Sequence, residues 1–269
     1  MYLNQKIRGS YKMITLIKQE SYKIIKQKGF KIFLISLPIF QFIVSIYTLK
    51  FPNLLTNRNA FSGNFYAFIP IAIYLITIGS TMISYEVQYG TLRALIYRKY
   101  SRYKVLSSKF ITVFILSIIL YFYSNLTSFV IKLVFFNSKI RLSERVSSGK
   151  TIFQTWVLTN VSQFLSLWFL MSIVFLLGTM FSSSSPAITS GIIGYFVLAI
   201  FNQVFFIFID KYDWLKWNPL NMLNLGAQIE NSKYSSLTHL NMQQISFGYS
   251  LYVVLFLCLA FISFRKRKI

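Results

Sequence analysis

The sequence predicts an all-α integral membrane protein, and composition, segment length and charge placement lead to this prediction. Of the 269 residues, 55% are hydrophobic and 19% aromatic, whereas only 13% are charged, which is not the composition of a soluble globular domain. Several apolar stretches reach the roughly 20 residues that a helix needs to cross a hydrocarbon core of about 30 Å. The basic residues lie mainly at the ends of these stretches.

Six stretches are long and apolar enough to form transmembrane helices. They fall at about residues 30–49, 65–85, 110–136, 156–181, 187–209 and 245–264. Little chain remains for a large soluble domain. We therefore divide the protein into an N-terminal segment, residues 1–29, and a six-span transmembrane domain, residues 30–269.

The N-terminal segment is polar and rich in lysine, yet its apolar residues recur near one face of a helix. These residues are Ile7, Tyr11, Ile14, Ile17, Ile24 and Ile25. Such a pattern is typical of an amphipathic interfacial helix that lies on the cytoplasmic membrane surface. A disordered basic tail is the alternative interpretation, because Ser21 interrupts the apolar face.

The loop at residues 210–244 combines tryptophans and leucines with only a few charges. Its apolar runs are too short to span a membrane, and it is too apolar for a free loop. Trp214 and Trp217 favour a position at the depth of the lipid headgroups. We therefore predict short outer-leaflet helices before the sixth span.

The basic residues predict the orientation of the chain in the membrane. The chain carries 28 Lys and Arg against six Asp and Glu, and the resulting net charge of +22 would suggest nucleic-acid binding in a soluble protein. Eighteen of the 28 basic residues lie in segments 1–31, 86–109 and 265–268, which six spans place on one side. Because Lys and Arg are enriched in cytoplasmic loops, we expect both termini in the cytoplasm and no nucleic-acid partner.

The sequence offers no set of residues for catalysis, metal binding or nucleotide binding. His239 is the only histidine and Cys258 the only cysteine, and the six acidic residues form no paired-carboxylate motif. The run Gly149-Lys150-Thr151 resembles the end of a phosphate-binding loop, but Glu144 stands where the first glycine is needed. We therefore expect a protein that is not an enzyme and that has no metal or cofactor of its own.

The stretch from Glu86 to Lys109, between the second and third spans, contains the most specifically spaced polar residues of the chain. Gly90 can end the second span, so that the chain turns along the membrane surface. Thr91 can cap a short helix whose apolar face suits a groove in another protein.

Glu86 and Arg93 flank the Gly90 turn, and their side chains can pair with each other or with a partner protein. The strength of such a pair depends on how far water is excluded from it. The alternative interpretation of this stretch is a solvated loop that is basic only because of membrane topology.

The order of these residues resembles the cytoplasmic signature of the ABC-2 type transporter permeases. In that family an acidic residue ends the second span, a G-T-L-R run opens a short coupling helix, and an S-R-x-x-x-L-x-x-K run leads into the third span. The residues that match are Glu86, Gly90, Thr91, Leu92, Arg93, Leu95, Ser101, Arg102, Leu106 and Lys109. The chain departs from the pattern where many members carry a proline, near Lys99 and Tyr100.

The resemblance implies the membrane subunit of an ATP-driven ABC exporter in a bacterial cell membrane. Such a permease works with a separate nucleotide-binding (ATPase) subunit, which holds the ATP and Mg, and with a second permease copy or a homologous permease. Its loop between spans 2 and 3 forms a cytoplasmic coupling helix. The resemblance allows a hydrophobic or amphipathic peptide, toxin, drug or lipid as substrate, and we expect bacteriocin or peptide export or immunity. An ATP-independent carrier or a membrane scaffold is the alternative function.

Three amide side chains within the predicted spans are candidates for the substrate path. Asn125 lies in the third span, and Asn202 and Gln203 lie in the fifth. Hydrogen bonds to neighbouring helices are the competing interpretation, because polar side chains in a membrane commonly bond across helix interfaces.

Overall fold

The computed structural model describes residues 2–90, 100–146 and 149–266. These ranges contain seven long helices, which are joined by loops and shorter helical turns. The long helices are α1 (Tyr2–Lys26), α2 (Lys28–Lys50), α3 (Phe68–Gln88), α4 (Arg102–Phe135), α5 (Ile152–Met180), α6 (Ser184–Lys211) and α7 (Met242–Lys266).

The helices α2 to α7 are each long and apolar enough to cross a membrane. Each predicted span overlaps one of them, which confirms that the described part of the chain is helical, without strands, and has six candidate membrane spans. The third span extends beyond its predicted start, because the helix α4 already begins at Arg102 and continues through the basic residues that precede the apolar stretch. The second span begins later than predicted, since Phe65 and Tyr66 have positive φ angles that interrupt a helix.

The helices α1 and α2 are separated by the single residue Gln27. The helix α1 ends at Lys26 because Gln27 has an extended backbone, with φ of −67° and ψ of 134°. The helix α2 begins directly afterwards, at Lys28. The chain therefore changes direction between α1 and α2 without a separate loop.

The helix α5 lies at the centre of the bundle, where it contacts α3, α6 and α7. Its Trp168 packs edge-on against Phe110 and Phe114 of α4, at ring-centroid distances of 5.1 and 4.9 Å, and donates a hydrogen bond to Ser117 Oγ at 3.2 Å. In α3, α4 and α5, more than half of the most apolar 18-residue stretch is buried, against less than a quarter of the corresponding stretch in α2, α6 and α7. The helices α2, α6 and α7 therefore present apolar faces to their surroundings.

The ends of the spans form two faces, which we name by their content. The terminal face comprises residues 13–30, 84–90, 100–109, 179–186 and 261–266, and Glu86 and Lys109 meet there. The loop face comprises residues 51–67, 136–146, 149–151 and 212–241, and Arg58 pairs with Glu144 there.

A network of amide side chains holds the loop face together. Asn64, with φ of 50°, accepts a hydrogen bond from Trp156 Nε1 at 2.9 Å and donates one to Asn125 Oδ1 at 2.8 Å. Gln41 of α2 donates to the carbonyl of Asn64 at 3.0 Å and to Ser128 Oγ of α4 at 2.8 Å. Because an unpaired buried amide is costly in a membrane, these bonds fix the segment between α2 and α3 against α4 and α5.

The loop between α6 and α7 is built of short helices. Its α-helical segments are Pro219–Met222, Leu225–Glu230 and Ser235–Thr238. Met222 and Leu225 belong to a buried apolar cluster with Phe169 of α5 and Ile245 of α7. This loop is therefore packed on the bundle as part of the loop face.

The close approach of α6 to α3 depends on Gly191. A Cβ atom at position 191 would lie 2.7 Å from Ile76 Cγ2, whereas a Cβ atom at Gly194 would have nothing within 4 Å. We expect Gly191→Ala to lower the free energy of unfolding by about 1–3 kcal/mol relative to Gly194→Ala, because overpacking forces the two helices apart. Thermal melting of the purified protein in detergent measures this difference.

Gly194→Ala is the matched control, because both substitutions add one methyl group to the same helix and change its intrinsic propensity equally. Equal melting temperatures for the two variants would contradict the packing of α6 on α3.

Candidate functional site

Four charged side chains from three helices meet on the terminal face, and we call them the ion cluster. They are Glu20 and Lys23 of α1, Glu86 of α3 and Lys109 of α4. Lys109 Nζ lies 2.8 Å from Glu86 Oε1 and 3.2 Å from Glu20 Oε2. Lys23 Nζ lies 2.7 Å from Glu20 Oε1 and 3.6 Å from Glu86 Oε1. Each ammonium group therefore contacts both carboxylates, and the four charges sum to zero.

Three of the four side chains in the ion cluster are buried. The exposed fraction of the side chain is 1% for Lys109, 6% for Glu20 and 7% for Glu86, against 56% for Lys23. Removing a charge from water costs several kcal/mol, and only close contact with the opposite charge offsets this. The ion cluster therefore holds α1, α3 and α4 together, because separating them would leave a buried charge unpaired.

The buried stripe of α1 explains how Glu20 reaches the ion cluster. Leu16, Glu20 and Ile24 recur every four residues and are all buried, on a helix that packs against α4. On α4, Lys109 lies on the buried face that also carries Val105 and Thr112. Each of the two facing stripes thus has one charged residue among small or apolar residues, and the two charges are opposite.

The ion cluster shifts the pKa values of its two α1 residues in opposite directions. Burial alone would raise the pKa of Glu20, but the charges of Lys109 and Lys23 outweigh burial and hold the pKa below its ordinary value. Burial alone would lower the pKa of Lys23, but its hydrogen bond to Glu20 and the charges of Glu20 and Glu86 raise the pKa above its ordinary value. Both residues are therefore charged at neutral pH.

The predicted coupling residues that the structure describes lie at or near the two ends of the segment between α3 and α4. Glu86 and Lys109 belong to the ion cluster. Gly90 follows the last residue of α3 closely and has φ of 66°, a conformation that favours glycine. Ser101 directly precedes α4 and is exposed. The predicted residues that lie outside the described part of the chain are Thr91, Leu92, Arg93 and Leu95.

Residues beside the ion cluster connect this segment to two further helices. Gln88 Oε1 accepts hydrogen bonds from the backbone N–H and the hydroxyl of Ser184, both at 3.1 Å, at the start of α6. Arg102 donates a hydrogen bond to the carbonyl of Arg265, near the end of α7. The two ends of the segment between α3 and α4 therefore contact α1, α6 and α7.

Asn125 and Asn202 both hydrogen-bond to other residues of the chain. Asn125 accepts a bond from Asn64 at 2.8 Å, and the amides of Asn202 and Asn224 bond to each other at 2.7 and 2.9 Å. Asn202 also lines a cavity of about 200 Å³ between α3, α5 and α6. Gln203 follows Asn202 on α6, where the structure describes only its backbone. The cavity distinguishes Asn202 from Asn125 as a candidate for the substrate path.

Glu20 and Lys23 belong to the ion cluster, although they are not among the residues that the sequence predicts for the site. The sequence also allows Glu86 to pair with Arg93 or with a partner protein, and Arg93 lies outside the described residues. The contacts described for Glu86 are with Lys109 and Lys23. The signal for Glu20 was present in the sequence, because Glu20 is the only acidic residue before Glu86 and interrupts the apolar stripe of a basic helix. A lone acid on a buried helix face requires a cation from another element.

The geometry of the ion cluster suits a joint between helices. Both carboxylates already contact two ammonium groups. In the ranges that the structure describes, no group of three or more His, Cys, Asp and Glu side chains could hold a metal ion. What the arrangement can do is transmit a displacement of α1, α3 or α4 to the other two helices.

Comparison with known proteins gives a family and a relative. A family model with the description "Protein of unknown function (DUF2705)" matches residues 13–269. The chain is 27% identical over 210 residues to the "Uncharacterized protein YhcI" of Bacillus subtilis (strain 168). This alignment covers 73% of the chain but only 64% of the relative's length.

Lys109→Met removes the buried ammonium group and keeps a side chain of similar length. The change leaves Glu20 and Glu86 close together with only the half-exposed Lys23 beside them. We expect the free energy of unfolding to fall by about 3–5 kcal/mol, as for other buried ion pairs that lose one partner. Chemical denaturation in detergent, followed by circular dichroism, measures the loss.

Lys104→Met, on the same helix but outside the ion cluster, is the control and should change the free energy of unfolding by less than about 0.5 kcal/mol. Adding Glu86→Gln to Lys109→Met should recover part of the loss, because the second change removes one of the unpaired carboxylates. Purely additive losses from these two changes would show that the residues do not interact.

The stabilisation by Glu20 is expected to disappear in acid. Because its pKa in the folded chain lies below the ordinary 4.5, its contribution is complete above pH 4.5 and is lost as the pH falls through the folded pKa. Lys23, whose pKa is raised above 10.5, loses its contribution only as the pH rises through its folded pKa. The difference in melting temperature between wild type and Glu20→Gln should therefore be constant near neutral pH and shrink in acid. A difference that stays unchanged in strong acid would contradict this assignment.

Proposed function

The chain belongs to the DUF2705 family, and we propose that it is the permease subunit of an ATP-driven ABC exporter. Two observations support the proposal. The order of residue types from Glu86 to Lys109 resembles the ABC-2 permease signature, and the chain has six candidate spans. The observation that carries it is the ion cluster, because the cluster joins both ends of the segment in which that signature lies.

The ion cluster lies where a coupling segment has to deliver force. Glu86 is in the last turn of α3, Lys109 is about two turns inside α4, and their side chains meet at 2.8 Å. The segment between them therefore begins and ends at this ion pair. We call the pair, with the ends of α3 and α4 that it joins, the base of the segment. A partner that moves residues 91–99 pulls on this base and shifts α3 and α4 together.

In the proposed mechanism, contacts of the base and of the residues beside it transmit the movement to the other helices of the terminal face. Glu20 connects it to α1, Gln88 connects it to the start of α6, and Arg102 connects it to the end of α7. In the proposed mechanism, ATP-driven closure of the ATPase subunits moves residues 91–99. The ends of these helices then rearrange, and the bundle changes between inward-facing and outward-facing states.

The partners and the orientation follow from the same proposal. ATP and Mg bind to the ATPase subunit, and a second copy of the chain or a homologous permease completes the transport path. The less buried faces of α2, α6 and α7 are available to this second permease and to lipid. The terminal face is cytoplasmic, because most of the basic residues belong to the segments that end there, and α1 lies on its membrane surface. The short helices of the loop between α6 and α7 lie in the outer leaflet.

The substrate in this proposal is a hydrophobic or amphipathic compound, such as a peptide, toxin, drug or lipid. Export of a bacteriocin or other peptide, or immunity to one, is our preferred assignment. The cavity beside Asn202 is lined mainly by apolar and aromatic side chains, among them Phe68, Leu170 and Tyr195. Such a lining suits an apolar group, with the Asn202 amide to orient it.

Retention of an ATPase tests the coupling assignment. A tagged copy of the chain, purified from its native host in mild detergent, is expected to retain an ATP-hydrolysing subunit that mass spectrometry identifies. Arg93→Ala should reduce the retained subunit by about 30-fold if the side chain contributes about 2 kcal/mol at the interface. Glu86→Ala should also reduce it, because the change loosens the ion cluster that joins the two ends of the coupling segment. Retention of the subunit at wild-type levels by both variants would contradict the coupling role.

Two controls separate coupling from folding and from other transport classes. Arg145→Ala, on the loop face, should retain the subunit like the wild type, and Lys109→Met reports what loss of the ion cluster alone does. Vesicles that contain the complex are expected to transport substrate with ATP and without an ion gradient. Transport that follows a gradient and ignores ATP would favour an ATP-independent carrier.

A further inference from the structure

An apolar groove of about 220 Å³ lies between α1, α2 and α4, beside the ion cluster. Its walls include Ile24 and Ile25 of α1, Phe30 of α2, and Thr112, Ile115 and Ile119 of α4. The Thr112 hydroxyl donates to the carbonyl of Ser108 at 2.8 Å, so it offers no free hydrogen to a ligand. Ser21 is the other polar residue of the lining, and the remaining six residues are apolar, so the groove is suited to hydrocarbon.

The groove opens sideways, away from the centre of the bundle. Ile25, Ile115 and Ile119 are exposed by 52%, 41% and 52%. Its volume is smaller than the roughly 300–1,000 Å³ of pockets that enclose drug-sized ligands. A single flexible hydrocarbon chain is the kind of ligand that enters such a groove from the side and fills it.

Three exposed lysines, Lys23, Lys26 and Lys28, lie within two residues of groove-lining residues where α1 meets α2. We call this junction the rim of the groove. Lys23 forms ion pairs with both acids of the ion cluster, whereas Lys26 Nζ lies 5.4 Å from the centre of the Tyr22 ring. Within the described residues, neither Lys26 nor Lys28 has an acidic side chain within ion-pair distance. The rim is therefore positive without internal compensation.

We propose that this groove binds one acyl chain of an anionic phospholipid, whose phosphate contacts Lys26 and Lys28. Three features together select this ligand: the apolar lining of the groove, its lateral opening, and the lysines at its rim that have no acidic partner. The start of a membrane span, at Phe30, and the basic helix α1 both border the groove, so hydrocarbon and headgroup each meet a matching surface. The site exists whether or not the chain is a permease.

An anionic headgroup is the specific part of the proposal. A basic residue near an anionic lipid contributes on the order of a fivefold change in binding, so Lys26 and Lys28 together should favour an anionic over a zwitterionic lipid by about 30-fold. A second copy of the chain or a peptide in the groove would have no such dependence on headgroup charge.

Native mass spectrometry of the full-length protein in detergent tests the site. The protein is incubated with phosphatidylglycerol or with phosphatidylcholine of the same acyl chains, and bound lipid is counted. We expect one phosphatidylglycerol per chain, with about 30-fold weaker binding of phosphatidylcholine. Equal binding of the two lipids would overturn the proposal.

Two pairs of variants locate the bound lipid. Ile119→Trp fills the groove and should reduce bound phosphatidylglycerol at least tenfold, whereas Ile118→Trp adds the same bulk to an exposed position of α4 outside the groove and should leave it unchanged. Lys26→Gln with Lys28→Gln should lower phosphatidylglycerol binding to the level of phosphatidylcholine, whereas Lys50→Gln, at the other end of α2, should have no effect.

The lysine variants keep the test decisive if Ile119→Trp disturbs folding, because Lys26 and Lys28 are exposed and lie outside the buried core. Gel filtration and melting temperature identify a misfolded variant. Wild-type binding of phosphatidylglycerol by the folded double-lysine variant would overturn the proposal.

Discussion

Lys109 is buried only because carboxylates from two other helices reach its ammonium group, and this requirement organises the terminal face. A lone buried ammonium would be prohibitively costly, so α1 and α3 have to lie where Glu20 and Glu86 contact it. The helix α4 also contacts the central helix α5, because Trp168 packs against aromatic rings of α4 and bonds to Ser117. The ion cluster at the edge of the bundle is thus connected to its central helix through α4.

The buried polar contacts differ between the two ends of the bundle. Buried ionised groups join helices at the terminal face, whereas neutral amides around Asn64 do so at the loop face, where the ion pair between Arg58 and Glu144 is exposed. Amide networks depend on geometry and respond little to an external charge. An ion cluster next to a half-exposed lysine can be biased by a charged partner or by membrane lipid. The terminal face is therefore the end of the bundle at which an external signal can act.

The helix α1 links the two proposals without making one depend on the other. Its buried stripe contributes Glu20 to the joint beneath the segment between α3 and α4, and its next residues border the lipid groove. Ile24 follows Glu20 by about one helical turn, so a lipid in the groove would lie directly beside the joint. Membrane composition and a partner protein would then act on the same helix.

The sequence by itself determined the six candidate spans, the helix α1 and the turn at Gly90. These features depend on local properties, namely the length of an apolar stretch and the positions of glycine and basic residues. The pairing of Lys109 with Glu20, 89 residues away, was decided only by the tertiary structure. The same holds for the bond from Asn64 to Asn125 and for the contrast between Gly191 and Gly194. Each of these depends on the rotation and separation of helices far apart in the chain, and packing of the whole bundle sets both quantities.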